Sequence, residues 1–369
     1  RRIHNLVFVP SFKTAERITK ELIKRGCNLS SDGRPIIGMS SKQLLELILE
    51  IDERSLLIPA HVWTPWFGIY GQLSGFQSLD EAFEEMSPYV YGVETGLSSD
   101  PEMNWQVKEL STRSILSFSD AHSLPKMGRE ATVFQLESLS YENIRRAIMR
   151  PSLYAGEKDS SPSDENDNKV LYTIEFYPEE GKYHYSGHRK CHVVLTPEEQ
   201  QQAKGICPVC HRKLTDGVMR RVEELSSEKR RGEHVANGQK IVWTHDPKKI
   251  HPPFVKMVPL QEIIAEALGR PVTSPRVKVL FENLCGNSRS EFSLLLTTPL
   301  SVTEKTLRAL TTDAFARRIT EGIEKVRAEQ IVIKPGYDGI YGTVKIWPEG
   351  QDRAKDTDAD GQQMGLELA

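Results

Sequence analysis

The chain has 369 residues, 38% of them hydrophobic and 27% charged, which excludes a single small module, a fibrous protein and a wholly disordered one. A formal net charge of −3 gives no overall sign of a polyanionic partner, and five cysteines are too few for a disulfide framework at this length. No run reaches the roughly 18 apolar residues of a membrane helix and no apolar signal region opens the chain, so the expectation is a cytoplasmic protein without membrane contact.

The sequence starts Arg1-Arg2-Ile3-His4, without Met, and runs straight into an apolar stretch, which reads as a beginning partway through a domain. Residues 3–9 (IHNLVFV) predict a buried strand, followed by an amphipathic helix over 13–25 closed by Gly26. A second helix over 42–52, capped by Ser40 and Ser41, feeds the strand Leu56-Leu57-Ile58, which ends at His61. Residues 89–94 and 114–119 predict further strands, with helices after Pro101 and over 141–150. This alternation predicts a parallel α/β sheet or barrel in a first domain, residues 1–155.

Residues 156–169 (GEKDSSPSDENDNK) carry no aliphatic or aromatic side chain and predict a linker. A strand over 171–176, a Cys/His cluster over 184–211 and a helix over 216–228 predict a second module, residues 170–232. Residues 260–329 predict helices and 331–347 a glycine-interrupted hairpin, together a helical domain over 233–347, and 348–369 predict a flexible tail. From 182 to 256 there are 15 Lys/Arg against 8 Asp/Glu, a net of +7 inside an otherwise acidic chain.

Three strands of the first domain end in metal-capable residues: His61, Glu94, and Asp120 with His122. Strand ends of one α/β sheet converge, and imidazole with carboxylate suits zinc, manganese or iron. Such a centre acidifies a bound water and neutralises phosphate charge, so the pattern predicts a phosphoesterase. His4 stands near the start of its strand and reads, on this ground alone, as structural. Lys126 and Arg129 follow in a loop where a cation would clamp phosphate. Trp63, Trp66, Phe67 and Tyr70 follow His61, where exposed rings would stack on a base flipped from a duplex, and core packing is the plainer alternative for each.

His188-x2-Cys191, followed after 15 residues by Cys207-x2-Cys210, has the spacing of a closed tetrahedral zinc site, hence a structural one. His184, His192 and His211 compete for the fourth place, but His188 keeps the two-residue spacing. Cys27 and Cys285 read as small buried hydrophobes. Around the cluster Arg189, Lys190, Arg212, Lys213, Arg220, Arg221 and the run Lys229-Arg230-Arg231 form a basic surface suited to DNA phosphates. The stretch from Gly336 to Gly342 (GYDGIYG) predicts a hairpin turn and not a phosphate loop, since no helix follows.

The stretches IPAHVWTPWFG (58–68), VETGLSSD (93–100) and SFSDAHSLPKMGRE (117–130) resemble the polymerase and histidinol phosphatase (PHP) domain as it occurs in endonuclease Q. The resemblance implies a partial PHP-type distorted β/α barrel, then a zinc module and a mainly helical C-terminal region. It implies that His61, Asp120, His122 and also His4 are metal ligands, that Glu94 either binds metal or shapes the site, and that the ions are divalent zinc, manganese, magnesium or iron. It also implies a His-x-His strand and an acidic ligand ahead of Arg1. The implied activity is metal-assisted nicking of DNA on the 5′ side of a deaminated base, uracil or hypoxanthine, or of an abasic site. A small-molecule phosphatase and a non-catalytic DNA-binding remnant are the alternatives. At the end of the chain, Gln363, Met364, Leu366 and Leu368 resemble the peptides with which bacterial repair proteins hold the sliding clamp, a second expected partner beside DNA.

Overall fold

The computed structural model describes residues 1–30, 33, 35–73, 75–149, 168–286 and 289–350, and these fall in two compact units: those within 1–257 with 333–344, and those within 258–332 with 345–350. The expected linker, apart from its last two residues, and the clamp-like peptide Gln363, Met364, Leu366 and Leu368 lie outside the described residues.

In the first unit the opening apolar run forms β1 (Asn5–Phe8). Helix α1 (Phe12–Lys24) starts at Ser11, whose hydroxyl accepts from the Thr14 N–H, and α2 (Ser41–Ile51) starts with a reciprocal capping box between Ser40 and Gln43. Strand β2 (Leu56–Pro59) is buried on both faces. Leu57 joins a core with Leu45, Ile48, Trp63 and Phe83, whereas Leu56 and Ile58 join another with Leu116, Ile148 and Val170. A strand buried on both sides reads as an unbroken apolar run, as this one does.

Strands β1 and β2 pair antiparallel, with Asn5 opposite Pro59, so the expected parallel arrangement does not hold here. Their connection carries two helices, not the single crossover helix that returns a parallel neighbour. Beyond α3 (Leu79–Phe83), strands β3 (Gly92–Glu94) and β4 (Ser114–Leu116), with α4 (Pro101–Trp105) between them, do pair in parallel. Next come β5 (Ala131–Gln135), α5 (Tyr141–Met149), β6 (Lys169–Glu175), the hairpin of β7 (Ser186–His188) and β8 (Val193–Leu195), and helices α6 (Pro197–Gln202) and α7 (Val218–Leu225). Strands β9 (Glu233–Ala236), β10 (Val242–His245) and β11 (Phe254–Lys256) complete a five-stranded sheet of order β5-β6-β11-β10-β9, antiparallel except between β6 and β11. The fold is mixed α/β.

The units are divided differently from the domains expected at 1–155, 170–232 and 233–347. Strand β6 pairs with β5 from the other side of 156–169, and Val218 and Val222 of α7 pack in the same core as Leu45 and Trp63. Residues 233–257 belong to the first unit because β9, β10 and β11 extend the sheet from β6.

The second unit is helical, with α8 (Leu260–Leu268), α9 (Pro275–Cys285), α10 (Glu291–Leu296), α11 (Leu300–Arg308) and α12 (Asp313–Arg327). Their inner faces bury Ile263, Leu280, Leu295, Leu307, Phe315, Ile323 and, beyond α12, Trp347. Arg327 is 1% exposed and donates to the carbonyls of Leu294, Leu295 and Thr298 at 2.9, 2.8 and 2.6 Å, covering helix-end acceptors that would otherwise be orphaned. Strands β12 (Val332–Lys334) and β13 (Thr343–Lys345) form the predicted hairpin. Among the described residues no helix is long and apolar enough to cross a membrane.

Candidate functional site

The antiparallel pairing of β1 with β2 decides where His4 lies. His4 precedes β1 and His61 follows β2, so both stand at the same end of the pair, and the Ala60 N–H donates to the His4 carbonyl at 3.0 Å. His4 Nδ1 is 3.0 Å from His61 Nε2, and the His4 ring is stacked on Phe67, with centroids 4.6 Å apart. A parallel β1 would have sent His4 to the opposite edge.

His61 is buried in a left-handed conformation (φ 32°), and its N–H donates to Glu94 Oε2 at 2.7 Å. Gly96 passes so close that a Cβ there would lie 2.4 Å from the His61 Cβ, which is why this turn takes glycine. Burial pushes the Glu94 carboxyl up to about 7, against the pull of the His61 N–H and with the help of the Asp120 charge. His4, His61, Glu94 and Asp120 line one cavity of about 1070 Å³. Asp120 also has a left-handed backbone (φ 45°). His122 is exposed, with Nδ1 2.8 Å from the Asp120 carbonyl oxygen and 4.0 Å from Asp120 Oδ1. Among the described residues, the group of three or more His, Cys or acidic donors within 4.8 Å of one another is elsewhere, so these four side chains are grouped less tightly than that.

The tight group is His188, Cys191, Cys207 and Cys210, and it could hold a metal ion. Hairpin β7–β8 supplies His188 and, after one turn, Cys191; a second turn held by Cys207 N–H to Arg212 O (2.8 Å) and His211 N–H to Cys207 O (2.9 Å) supplies the other two. Desolvation raises the Cys207 thiol, but the N–H groups of Cys210 and Val209 and the His188 ring outweigh it and bring it down to about 6, whereas desolvation and the neighbouring Cys210 and Cys207 push Cys191 up to about 11. The competing histidines fall away: His192 and His211 are exposed, and His184 is buried facing another cavity.

That other cavity, of about 390 Å³, is walled by Trp66, Arg129, Phe176, Lys182, Tyr183 and Tyr341. Trp66 meets Tyr183 edge-on at 4.9 Å, and the Arg129 guanidinium lies 4.4 Å over Phe176 and 4.0 Å from Glu180. The segment 61–67 contributes to both linings, with His61 and Phe67 on the first cavity and Thr64, Pro65 and Trp66 on the second.

Several expected contact residues are placed elsewhere. Trp63 is 1% exposed and donates from Nε1 to Asn104 at 2.9 Å; Tyr70 is fully buried and donates to Glu109, also at 2.9 Å. Both are core residues, because each polar tip finds its partner inside. Phe67 stacks on His4. Lys126 is exposed. Of the basic run, Lys229 and Arg231 are exposed, but Arg230 is buried between Glu228 (2.6 Å) and Asp246 (3.4 Å), so it serves the fold. Cys27 is buried as expected and donates to the Ile37 carbonyl, while Cys285 is half-buried.

Sequence reasoning missed two buried carboxylates. Glu175 accepts from Thr95 and Ser117, each at 3.1 Å, and burial raises it to about 8; Glu130 accepts from the Phe176 N–H at 3.2 Å and is also raised by burial and by Glu175. The one sequence signal was a carboxylate between Ile174 and Phe176 in an apolar strand.

No family model matches the chain. Its structure is similar to the crystal structure of the lesion-specific endonuclease PfuEndoQ from Pyrococcus furiosus, with a TM-score of 0.74 and 27% identity, covering 97% of this chain and 78% of that one. It is likewise similar to endonuclease Q in complex with a 27-mer duplex substrate carrying an abasic lesion at the active site, with a TM-score of 0.71 and 26% identity, covering 97% and 80%. The chain is an endonuclease Q-like protein. This endonuclease Q-like chain is also 26% identical over 313 residues to the uncharacterized protein MJ0043 of Methanocaldococcus jannaschii, covering 82% of this chain and 34% of that protein. It thus spans about a third of that relative's length. It is 26% identical over 349 residues to the uncharacterized protein YqxK of Bacillus subtilis, covering 93% and 74%.

Proposed function

We propose that this protein is a DNA repair endonuclease with a PHP-type catalytic unit, nicking DNA 5′ of abasic sites or of deaminated bases by metal-assisted phosphodiester hydrolysis. The observation that carries the reading is the pair of cavities to which the segment 61–67 contributes: one edged by His4, His61, Glu94 and Asp120, the other by aromatic rings with Arg129 and Lys182. The likeness to a lesion-specific endonuclease supports it.

The donor set fits divalent cations. Two imidazole nitrogens face each other at 3.0 Å, and Glu94 and Asp120 supply carboxylates on the same cavity. In this reading His4, His61, Asp120 and His122 hold zinc, manganese, magnesium or iron, which when bound would acidify a water and neutralise phosphate charge. Glu94 fixes the His61 backbone by accepting from its N–H. Trp66 and Tyr341 would stack on the displaced nucleotide, and Arg129 and Lys182 would meet its phosphates. Lys229 and Arg231 would contact the backbone elsewhere. His188, Cys191, Cys207 and Cys210 would hold a structural zinc, since the set is closed by four protein donors. Gln363, Met364, Leu366 and Leu368 would engage a sliding clamp, a reading that rests on the sequence and is tested by binding of a peptide of residues 358–369.

The test is nicking of duplexes carrying one abasic site, uracil or hypoxanthine, with each metal in turn. Asp120→Asn is expected to abolish cleavage while leaving affinity for the abasic duplex within about twofold, as expected of a group that acts on the reaction and not on binding. Failure to cut any of the three, with turnover of small phosphate monoesters instead, would favour a phosphatase.

A further inference from the structure

The stretch GYDGIYG forms a turn within the first unit whose contacts join the Cys/His cluster to the aromatic cavity. Asp338 (φ 43°) and Gly339 (φ 83°) both have left-handed backbones, the Asp-Gly signature of a tight hairpin turn, closed by hydrogen bonds between Tyr337 and Ile340 at 3.0 and 2.8 Å. One end of the turn touches the cluster's scaffold. Asp338 Oδ2 accepts from the N–H of Arg189, next to the donor His188, at 2.7 Å; Oδ1 accepts from the Thr215 hydroxyl at 2.6 Å. Thr215 in turn exchanges backbone hydrogen bonds with Gly187 at 2.9 and 3.0 Å. One carboxylate thus ties the strand bearing His188 to the segment leaving the Cys207–Cys210 turn.

The other end builds the cavity wall. The N–H groups of Gly336, Gly339 and Gly342 donate to the carbonyls of Glu179, Lys182 and Glu180 at 2.8, 3.0 and 2.9 Å, and Tyr185 N–H donates back to Gly336 O at 3.0 Å. The approach is so close that a Cβ on Gly336 would lie 2.2 Å from Gly181 O, and one on Gly342 would lie 2.1 Å from Glu179 O. The seated turn carries Tyr341, and Lys182 Nζ lies 4.3 Å over its ring at the cavity's edge.

We infer that Asp338 is a positioning residue that couples the Cys/His metal cluster to the aromatic cavity, so that occupancy of the cluster sets the placement of Tyr341 and Lys182. The zinc arm of its test rests on the zinc site proposed above, and only the DNA arm rests on the proposed nuclease activity. Groups that orient metal donors through hydrogen bonds typically change metal affinity by 10–100-fold when removed, and Asp338 holds the peptide beside His188.

The experiment uses the full chain loaded with zinc, with three readouts: transfer of zinc to a chromophoric chelator, iodide quenching of Trp66 fluorescence (taken as the difference from Trp66→Phe), and the affinity ratio for abasic over undamaged duplex. Asp338→Ala is expected to speed zinc transfer about 10-fold, to alter Trp66 quenching as zinc removal does in the parent, and to lower the affinity ratio. Asp338→Asn, which keeps an acceptor for Arg189, should fall between. Tyr341→Ala should lower the ratio with zinc transfer unchanged. Parental zinc transfer in Asp338→Ala, or faster transfer with Trp66 quenching unmoved by either the substitution or zinc removal, would overturn the coupling. If the parent shows no preference for the abasic duplex, the lesion reading of the cavity fails, while zinc transfer and Trp66 quenching still decide the coupling.

Discussion

Alanine replacements along Lys229-Arg230-Arg231 should separate three adjacent cations into two roles. The Arg230 side chain is 4% exposed and lies against Glu228, with Nη2 to Oε1 at 2.6 Å, and against the fully buried Asp246 at 3.4 Å. Asp246 also accepts from the backbone of Ile250 and His251 at 3.0 and 3.1 Å, so it cannot swing out to water. Removing one partner of such a pair leaves an uncompensated buried charge, at a cost of about 3–5 kcal/mol. For a chain of this size that lowers Tm by on the order of 10 °C. Lys229 is 72% exposed with its amino group 3.8 Å from Glu198, and no comparable loss is expected there or at the exposed Arg231. In DNA binding the order should invert. Lys229→Ala and Arg231→Ala should each lessen the salt dependence of affinity by up to about one counterion, equally for damaged and undamaged duplex. Scanning fluorimetry and anisotropy titrations from low to moderate salt would measure both. An Arg230→Ala protein as stable as its parent would refute the burial argument, and unchanged salt slopes in the other two variants would refute their role on phosphate.

Purified protein should carry one zinc per chain that survives mild chelation, and Cys191→Ala should lose it; metal analysis showing unchanged zinc would count against the four-donor site. His251 is buried, stacked on Trp105, and pushed down to about 4 by burial, so the unfolded chain binds a proton near pH 6.5 that the folded chain refuses. The contribution of His251 to stability should therefore fall by about 3 kcal/mol as pH drops from 6.5 to 4, opposed by the buried Glu94, Glu130 and Glu175 carboxyls, so the urea midpoint of the parent should drop relative to that of His251→Phe across that window. Trp63→Ala should lose about 3–5 kcal/mol of stability, whereas Trp66→Ala should change it by less than about 0.5 and instead weaken the preference for damaged duplex. Equal stabilities for the two tryptophan variants would show that burial does not separate them.

Local signals were legible along the chain. Ser40 and Pro101 mark helix starts where the helices begin, and the Cys/His spacing brings together the four donors it names. What the sequence could not carry was pairing between distant strands. His4 gains its place only because β1 runs antiparallel to β2, and 233–257 join the first unit only because β11 lies beside β6. Side-chain fate within one short run was equally hidden. Trp63 and Trp66, or Arg230 and its neighbours, differ by a residue or three in sequence and by a partner inside the protein in space.

The double burial of β2 makes the halves of the His/carboxylate cavity unequal. His61 hangs from a strand wedged between two apolar cores, and His4 is hydrogen-bonded to that same strand end. Asp120 and His122 sit on an exposed loop beyond β4. Disturbing the first pair means opening both cores at once, whereas the second pair can shift at the cost of a few surface contacts. A cation or phosphate entering that cavity would meet one fixed jaw and one that adjusts, so tolerance for ions of different radius would reside in Asp120, with His122 on the same exposed loop but outside the lining, and loss of the fixed jaw would coincide with loss of the fold.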